Sequence, residues 1–396
     1  MATRPLRAPR FTAVRRQEER VTALELFFDL VFVLAITQCT ALMAETPTWE
    51  GVAKGLAVLA LLWWSWTGYA WLTSVVDPEE GTVRIAIFAA MAALLVVALC
   101  VPGAFEDAAL LFAAAYGIVR IAHLVLFAVA SRDDPDLRHS VATLAGSTTI
   151  GVGLLLGAAF ADGAAQAALW GVALFLDIGG PSLFGVEGWK LVPSHFAERH
   201  ALIIIIALGE SIVAIGVGVT GGIGAGIVTA AVLGIVVAAG LWWLYFDVVA
   251  LVAERRLVGA APGREQNSMA RDSYSYLHFP MVAGIVLVAL AMKKTLGDVG
   301  EPLKLVPVVA LLGGTALYLL AHVAFRLRNV HTLNRQRLLC ALALIAVIPA
   351  AVELPALASV GIVAGGLSAL IAYEAIRFAE ARDRVRHRLA HEVTAD

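Results

Sequence analysis

Twelve apolar runs, each about twenty residues long, leave this chain few folds to choose from. An α-helix rises about 1.5 Å per residue, so roughly 20 apolar residues cross the hydrocarbon core of a bilayer. The runs fall at 24–44, 51–73, 83–101, 108–130, 140–160, 164–184, 197–219, 223–252, 273–292, 303–325, 335–354 and 356–378. In hydrocarbon every backbone group must bond within the protein, which admits only helices and closed barrels. Continuous runs without polar alternation exclude the barrel. The fold class is therefore an all-α integral membrane protein with about twelve transmembrane helices. Composition agrees: 60% of residues are hydrophobic and 15% charged, against about 45–50% and about 25% in soluble domains. The run at 223–252 is long enough to tilt or to extend past the bilayer. The run at 273–292 is the weakest, because Tyr274, Tyr276, His278 and Pro280 interrupt its start.

Charge sets the expected orientation. The tail at 1–23 carries six arginines and no apolar stretch that would read as a cleaved signal. Together with every second connector and the C-terminal tail it holds 24 of the 29 Lys and Arg residues. The alternate connectors hold Lys54, Lys293, Lys294 and Lys304, and Arg120 is left inside a span. The positive-inside bias thus predicts both termini in the cytoplasm. Net charge is only -2 and no basic face is concentrated, so nucleic acid is not a partner; the lipid bilayer is. Cys39, Cys100 and Cys340 sit in apolar runs without metal-ligand spacing and read as small buried hydrophobes.

Several coincidences divide the chain in two. Trp63-Trp64 lies in the second run and Trp242-Trp243 in the eighth. Ala122-His123 lies in the fourth and Ala321-His322 in the tenth. The last run of each half carries a carboxylate, Asp177 and Glu374, and the first carries Asp29 or Glu210. These predict two six-helix halves, 24–184 and 197–378, joined by a cytoplasmic connector at 185–196 and followed by a tail at 379–396. Six spans per half make the repeat parallel. The bland alternative is that paired tryptophans only mark the interfacial belt.

A charge inside a span costs roughly 2.5–3.5 kcal/mol on insertion scales, so each is either used or paired. Glu25 and Asp29 are one helical turn apart and share a face. Asp29, Arg120, His123, Asp177, Glu210 and His322 lie deepest and form the candidate ion or proton pathway, with Asp29 and Glu210 at its centre. Glu25, Ser211 and Asp247 are secondary candidates. Glu25, Asp247, His278, Glu353 and Glu374 lie nearer span ends, where a structural role is the simpler reading. Arg120 stays protonated and needs a carboxylate, which Asp29, Asp177 or Glu210 could supply. Either such a pair fixes helix register, or one carboxylate stays unpaired and titrates while His123 or His322 relays the proton.

The connectors add little chemistry. Gly221, Gly222, Gly224 and Gly226 form a turn without the lysine of a phosphate loop. Glycines at 153 and 157, 361 and 365, and Gly209 are expected to admit close helix packing. Ser194 is the expected N-cap of the seventh helix. No catalytic triad, metal cage or cofactor motif is evident, so soluble-enzyme chemistry finds no support.

Two motifs carry a family resemblance: Leu24-Glu25-Leu-Phe-Phe-Asp29-Leu-Val-Phe-Val, and Glu198-Arg-His followed by Leu-Gly209-Glu210-Ser-Ile-Val-Ala. Together they resemble the bacterial low temperature requirement protein A family, with Leu-Trp242-Trp243-Leu-Tyr-Phe-Asp247 as a weaker third match. The resemblance spans about 20–380. It implies a multi-pass protein of the bacterial inner membrane associated by name with growth in the cold, and supplies no reaction or substrate. Phe27-Phe28-Asp29-Leu-Val-Phe-Val is also similar to the Phe-Ser-Asp motif that opens each six-helix repeat of the TMEM-type potassium and proton channels, although Phe28 stands in place of the serine. The reading that follows is a proton- or cation-linked transporter or channel with acidic residues at the interface of two repeats. The alternatives are a membrane-embedded enzyme or lipid-handling protein, or a stress-related membrane protein whose charges only lock helices. The ion or solute is not named by the sequence, and a homo-oligomer is left open.

Overall fold

The computed structural model describes residues 20–184, 188–219, 222–380 and 382. Among them, twelve long helical segments follow one another and no strand is formed. They are α1 (Ala23–Glu45), α2 (Trp49–Thr73), α3 (Gly81–Cys100), α4 (Ala109–Ala130), α5 (Pro135–Ala158), α6 (Gly163–Phe184), α7 (Pro193–Gly218), α8 (Ala225–Phe246), α9 (Arg264–Gly297), α10 (Leu305–Val330), α11 (Arg335–Ala351) and α12 (Ala356–Arg377). A short helix, Val249–Val258, continues α8. Ten of the segments are long and apolar enough to cross a membrane by length and composition. The other two fall short for visible reasons. α11 has 17 residues, and α2, at 25 residues, carries five tryptophans that lower its hydropathy. Outward-facing side chains are apolar: Leu30, Ile85, Ile118, Ile121, Leu339 and Ile345 are all exposed. A surface so apolar belongs in lipid.

Local signals explain where helices begin. Thr22 caps α1 and Glu25 reaches back to the Thr22 backbone, the two forming a capping box. Thr48, Asp134 and Asn334 cap α2, α5 and α11 through their side chains. The seventh helix corrects one expectation. It opens on Pro193 with Val192 as N-cap and no side-chain cap, so Ser194 lies inside the first turn. Proline at this position wastes no hydrogen bond, because the first N–H groups of a helix are unpaired anyway. The connector between α6 and α7 is correspondingly shorter, and Arg199 is carried into the helix.

The weak ninth run also has a structural cause. α9 is long, and its first half contains a π-helical stretch, Ala270–Tyr276. There the polar residues that spoil the hydropathy pattern turn inward: Ser273, Tyr274, Ser275 and His278 are all buried. A second π-helical stretch, Val309–Gly313, sits in α10. Close packing occurs at different glycines from those expected. A Cβ at Gly284 would lie 2.6 Å from the carbonyl oxygen of Gly314, so α9 and α10 cross at near contact of their backbones. Nothing lies within 4 Å of a Cβ at Gly153, Gly157, Gly209, Gly361 or Gly365. Those glycines face open space, which small-residue spacing alone does not distinguish from a helix contact. The glycine-rich turn between α7 and α8 falls partly outside the described residues.

α1 and α7 pack directly against each other. The neighbour pattern is similar in the two halves. In the first, α1 touches α2 and α3, and α3–α4, α4–α5, α5–α6 and α2–α6 follow. In the second, α7 touches α8 and α9, and α9–α10, α10–α11, α11–α12 and α8–α12 follow.

Candidate functional site

The α1–α7 seam holds a buried ionic cluster built from two matched helical spacings. On α1, Glu25 and Asp29 are four apart. On α7, His195 and Arg199 are four apart. The pairs face each other. Arg199 Nη1 donates to Glu25 Oε1 at 3.0 Å and Nη2 to Asp29 Oδ1 at 2.7 Å. His195 Nε2 lies 2.8 Å from Glu25 Oε1, and its Nδ1 lies 3.1 Å from Ser74 Oγ at the end of α2. Trp66 Nε1 of α2 donates to Asp29 Oδ1 at 2.9 Å, and the Arg199 guanidinium stands 5.5 Å from the centre of the Trp66 ring. All of these side chains are buried. Two carboxylates meet one guanidinium and one imidazole here. Asp29 Oδ2 and Arg199 Nε are left without a hydrogen-bond partner.

Farther along the same seam is a second polar contact. Thr37 of α1 donates its hydroxyl to Glu210 Oε2 of α7. Glu210 is eleven residues beyond Arg199, about 16 Å along the helix. Glu25–His195, Asp29–Arg199 and Thr37–Glu210 ascend in the same order on both helices, so α1 and α7 run parallel. Among the described residues Glu210 has no cation within ion-pair distance, and the neighbouring Ser211 hydroxyl is buried without a partner. Asp29 and Glu210 therefore share a seam, but they do not face one another. Asp29 is matched by Arg199 rather than by Arg120.

Arg120 belongs to a different cluster inside the first half. Its Nη2 donates to Asp177 Oδ1 of α6 at 2.7 Å and lies 2.9 Å from Thr148 Oγ1 of α5. Thr148 Oγ1 donates to Asp177 Oδ1 at 2.9 Å, and Tyr116 of α4 donates to Asp177 Oδ2 at 2.5 Å. Asp177 thus receives three donors and joins α4, α5 and α6. His123, one turn from Arg120, packs against Tyr69 and Phe127 with neither ring nitrogen hydrogen-bonded. It lines a narrow aromatic cavity with Trp64, Trp71, Arg120 and Trp189.

The second half has a counterpart. Arg337 donates through Nε and Nη2 to the two oxygens of Glu374 at 3.0 and 2.9 Å. Its Nη1 donates to the Leu244 carbonyl at 3.0 Å and to His322 Nδ1 at 2.7 Å. Trp243, His322, Arg337 and Glu374 line one cavity. In the first half, by contrast, Trp64 and His123 line the aromatic cavity, and Asp177 is linked to it only through Arg120. Asp247 is held by Arg382 at 2.5 Å beside that second cavity.

Within the second half lies a buried band of rings. His278 donates Nδ1–H to the Ser273 carbonyl at 2.9 Å and accepts from Tyr245 at 2.8 Å. The His200 ring lies 5.2 Å from that of His278, and Tyr245 lies 5.9 Å from His322. Three residues in this region were not singled out by sequence: His195, Arg199 and Arg337. Arg199 and Arg337 were counted with the connectors, although each lies within the first turns of its helix. The i,i+4 spacing of His195 and Arg199, mirrored by Glu25 and Asp29, was the signal that could have found the cluster. No group of three or more His, Cys, Asp or Glu residues is placed to hold a metal ion among the described residues.

A chain with ten helices long and apolar enough to cross a membrane, and with charged groups sealed between them, is a polytopic α-helical membrane protein. The model of the bacterial low temperature requirement A protein family matches residues 20–372, and the chain belongs to that family. It is similar to an uncharacterized protein of Rhizobium meliloti (strain 1021), 29% identical over 279 residues, which is 67% of each chain. No solved structure matches it.

Proposed function

We propose that the protein carries a proton or a small cation, alone or with a solute, through the bacterial inner membrane along the α1–α7 seam, with both termini in the cytoplasm. One observation carries this reading. Asp29, Asp177 and Glu374 each hold a guanidinium, whereas Glu210 is buried at mid-helix with a hydroxyl for a partner. A carboxylate in that setting either takes up a proton or attracts a cation, and the unpartnered Ser211 hydroxyl beside it supplies a further ligand atom. The Glu25–Asp29–Arg199–His195 cluster stands on the same seam nearer the helix starts, where an arriving ion would meet it first.

The two halves, 24–184 and 197–378, are read as parallel repeats with the pathway at their junction. The parallel course of α1 and α7 and the shared neighbour pattern support this. So does the positive-inside bias, which survives removal of Arg199 and Arg337 from the connector total. The Arg120–Asp177 cluster is assigned to architecture, since its carboxylate is saturated by donors from within its own half. His123 and His322 line side cavities and stand off the seam.

Flux into proteoliposomes, followed with a pH-sensitive dye and with potassium and sodium gradients, tests the proposal. Wild-type protein should dissipate at least one gradient, Glu210→Gln should abolish that flux, and Glu210→Asp should retain part of it. Equal flux through wild type and Glu210→Gln would remove Glu210 from the pathway.

A further inference from the structure

Thr37 has one hydroxyl proton and two acceptors within reach. Its Oγ1 touches Oε2 of Glu210 on the facing helix. The same atom lies 2.9 Å from the Val33 carbonyl oxygen, one turn back on α1. A hydroxyl has a single O–H to give, and a threonine inside a helix commonly gives it to the carbonyl four residues earlier. With the Thr37 proton on Val33, the contact with Glu210 closes only if the carboxyl itself is the donor. With Glu210 ionised, the hydroxyl turns from Val33 to the carboxylate. Rotation of one O–H thus satisfies both protonation states of Glu210.

A metal cation is served less well at the same place. Membrane sites for such ions gather several oxygens, often backbone carbonyls freed where a helix unwinds. Here α1 and α7 run unbroken past the contact, so their carbonyls stay engaged. Thr40, the next hydroxyl on α1, is turned onto the Ile36 carbonyl at 3.2 Å. Among the described residues, the titratable or charged groups that act on Glu210 are Cys39 of α1 and Lys293 of α9. A thiol is a poor partner for a hard cation, and a lysine repels one.

We propose that the ion carried at Glu210 is a proton, held on Oε2 of a neutral carboxyl that donates to Thr37 Oγ1, and that the Thr37 hydroxyl swings between Val33 and Glu210 as the proton arrives and leaves. This rests on Glu210 being the carrier. On release the Oε2–H bond breaks, the proton passes to water, and the carboxylate accepts from Thr37 in its place. Thr37 is a positioning residue: it keeps either form of Glu210 hydrogen-bonded within the seam.

Infrared spectroscopy of the full-length protein in lipid bilayers tests the contact, and flux tests the ion. Recorded from acid to alkaline pH, wild type should show a protonated-carboxyl C=O band that is absent from Glu210→Gln. The band should move to higher frequency in Thr37→Val, which removes the hydrogen bond at nearly constant volume, and return in Thr37→Ser. Thr37→Ala gives a second reading of the same shift. No Glu210-dependent band, or a band unmoved without the Thr37 hydroxyl, would overturn the proposal. In proteoliposomes, Glu210-dependent acidification should proceed with equal sodium and potassium on both sides. Glu210-dependent sodium or potassium flux without proton movement would overturn the proton assignment and leave Glu210 as carrier. A wild type that passes no ion would remove the carrier reading, and the assignment with it.

Discussion

The Arg199 guanidinium is the centre of the seam's ionic cluster, and its removal yields a number that separates two accounts of what holds α1 to α7. In Arg199→Met the stem volume is roughly kept while three contacts are lost: to Glu25 at 3.0 Å, to Asp29 at 2.7 Å and to Thr73 at 3.4 Å. Hydrogen bonds within membrane proteins average about 0.6 kcal/mol by double-mutant cycle, so three ordinary bonds would amount to roughly 2 kcal/mol. Stranding buried carboxylates is more severe, about 3–5 kcal/mol for one broken buried pair. The second figure applies, because Asp29 is 1% exposed and retains only the Trp66 donor. The assay is reversible unfolding in mixed micelles of Arg199→Met, Asp29→Asn and the double variant. The single arginine variant should lose about 3–5 kcal/mol. The double variant should be more stable than the sum of the singles predicts, by about 1 kcal/mol or more, because no charge is stranded at position 29. A loss under about 2 kcal/mol, or additive singles, would refute the charge-pairing account.

Other residues give sharper local tests. Asp177→Ala strands Arg120, Tyr116 and Thr148 together and should cost about 3–5 kcal/mol, whereas Asp177→Asn, which keeps an acceptor, should cost clearly less in the same unfolding assay. Gly284→Ala sets a methyl 2.6 Å from the Gly314 carbonyl and should cost about 1–3 kcal/mol, while Gly153→Ala, facing open space, should leave the unfolding midpoint unchanged. Thr22→Ala removes the cap of α1 at a cost of about 1 kcal/mol, detectable as faster hydrogen exchange confined to the first turn.

The helical architecture was legible because the bilayer imposes one length and one composition on every crossing. Even α2, made less apolar by its tryptophans, and α11, which is short, stand out when the neighbouring runs are counted. The distribution of polar contacts was harder to read. Depth along a run is visible in a sequence, but the angle around the helix axis and the identity of the neighbour are not. Asp29 therefore looked available to Arg120, when α7 supplies Arg199 instead. Helix starts are equally hard to place from a sequence. Pro193 begins α7 four residues before the apolar run, and that shift carries Arg199 from an assumed surface connector into a buried site. Arg337 was missed for the same reason at the start of α11. The π-helical stretch in α9 leaves only an indirect mark in the sequence, a loss of apolar pattern at the start of the span.

The central claim concerns Glu210 on the α1–α7 seam. Proton and cation flux into proteoliposomes, measured side by side for wild type, Glu210→Gln and the fold-preserving control Gly153→Ala, tests it most directly. The account predicts gradient dissipation by wild type and Gly153→Ala and none by a correctly folded Glu210→Gln. Wild-type protein that dissipates no gradient, or a Glu210→Gln variant that matches it, would contradict the account.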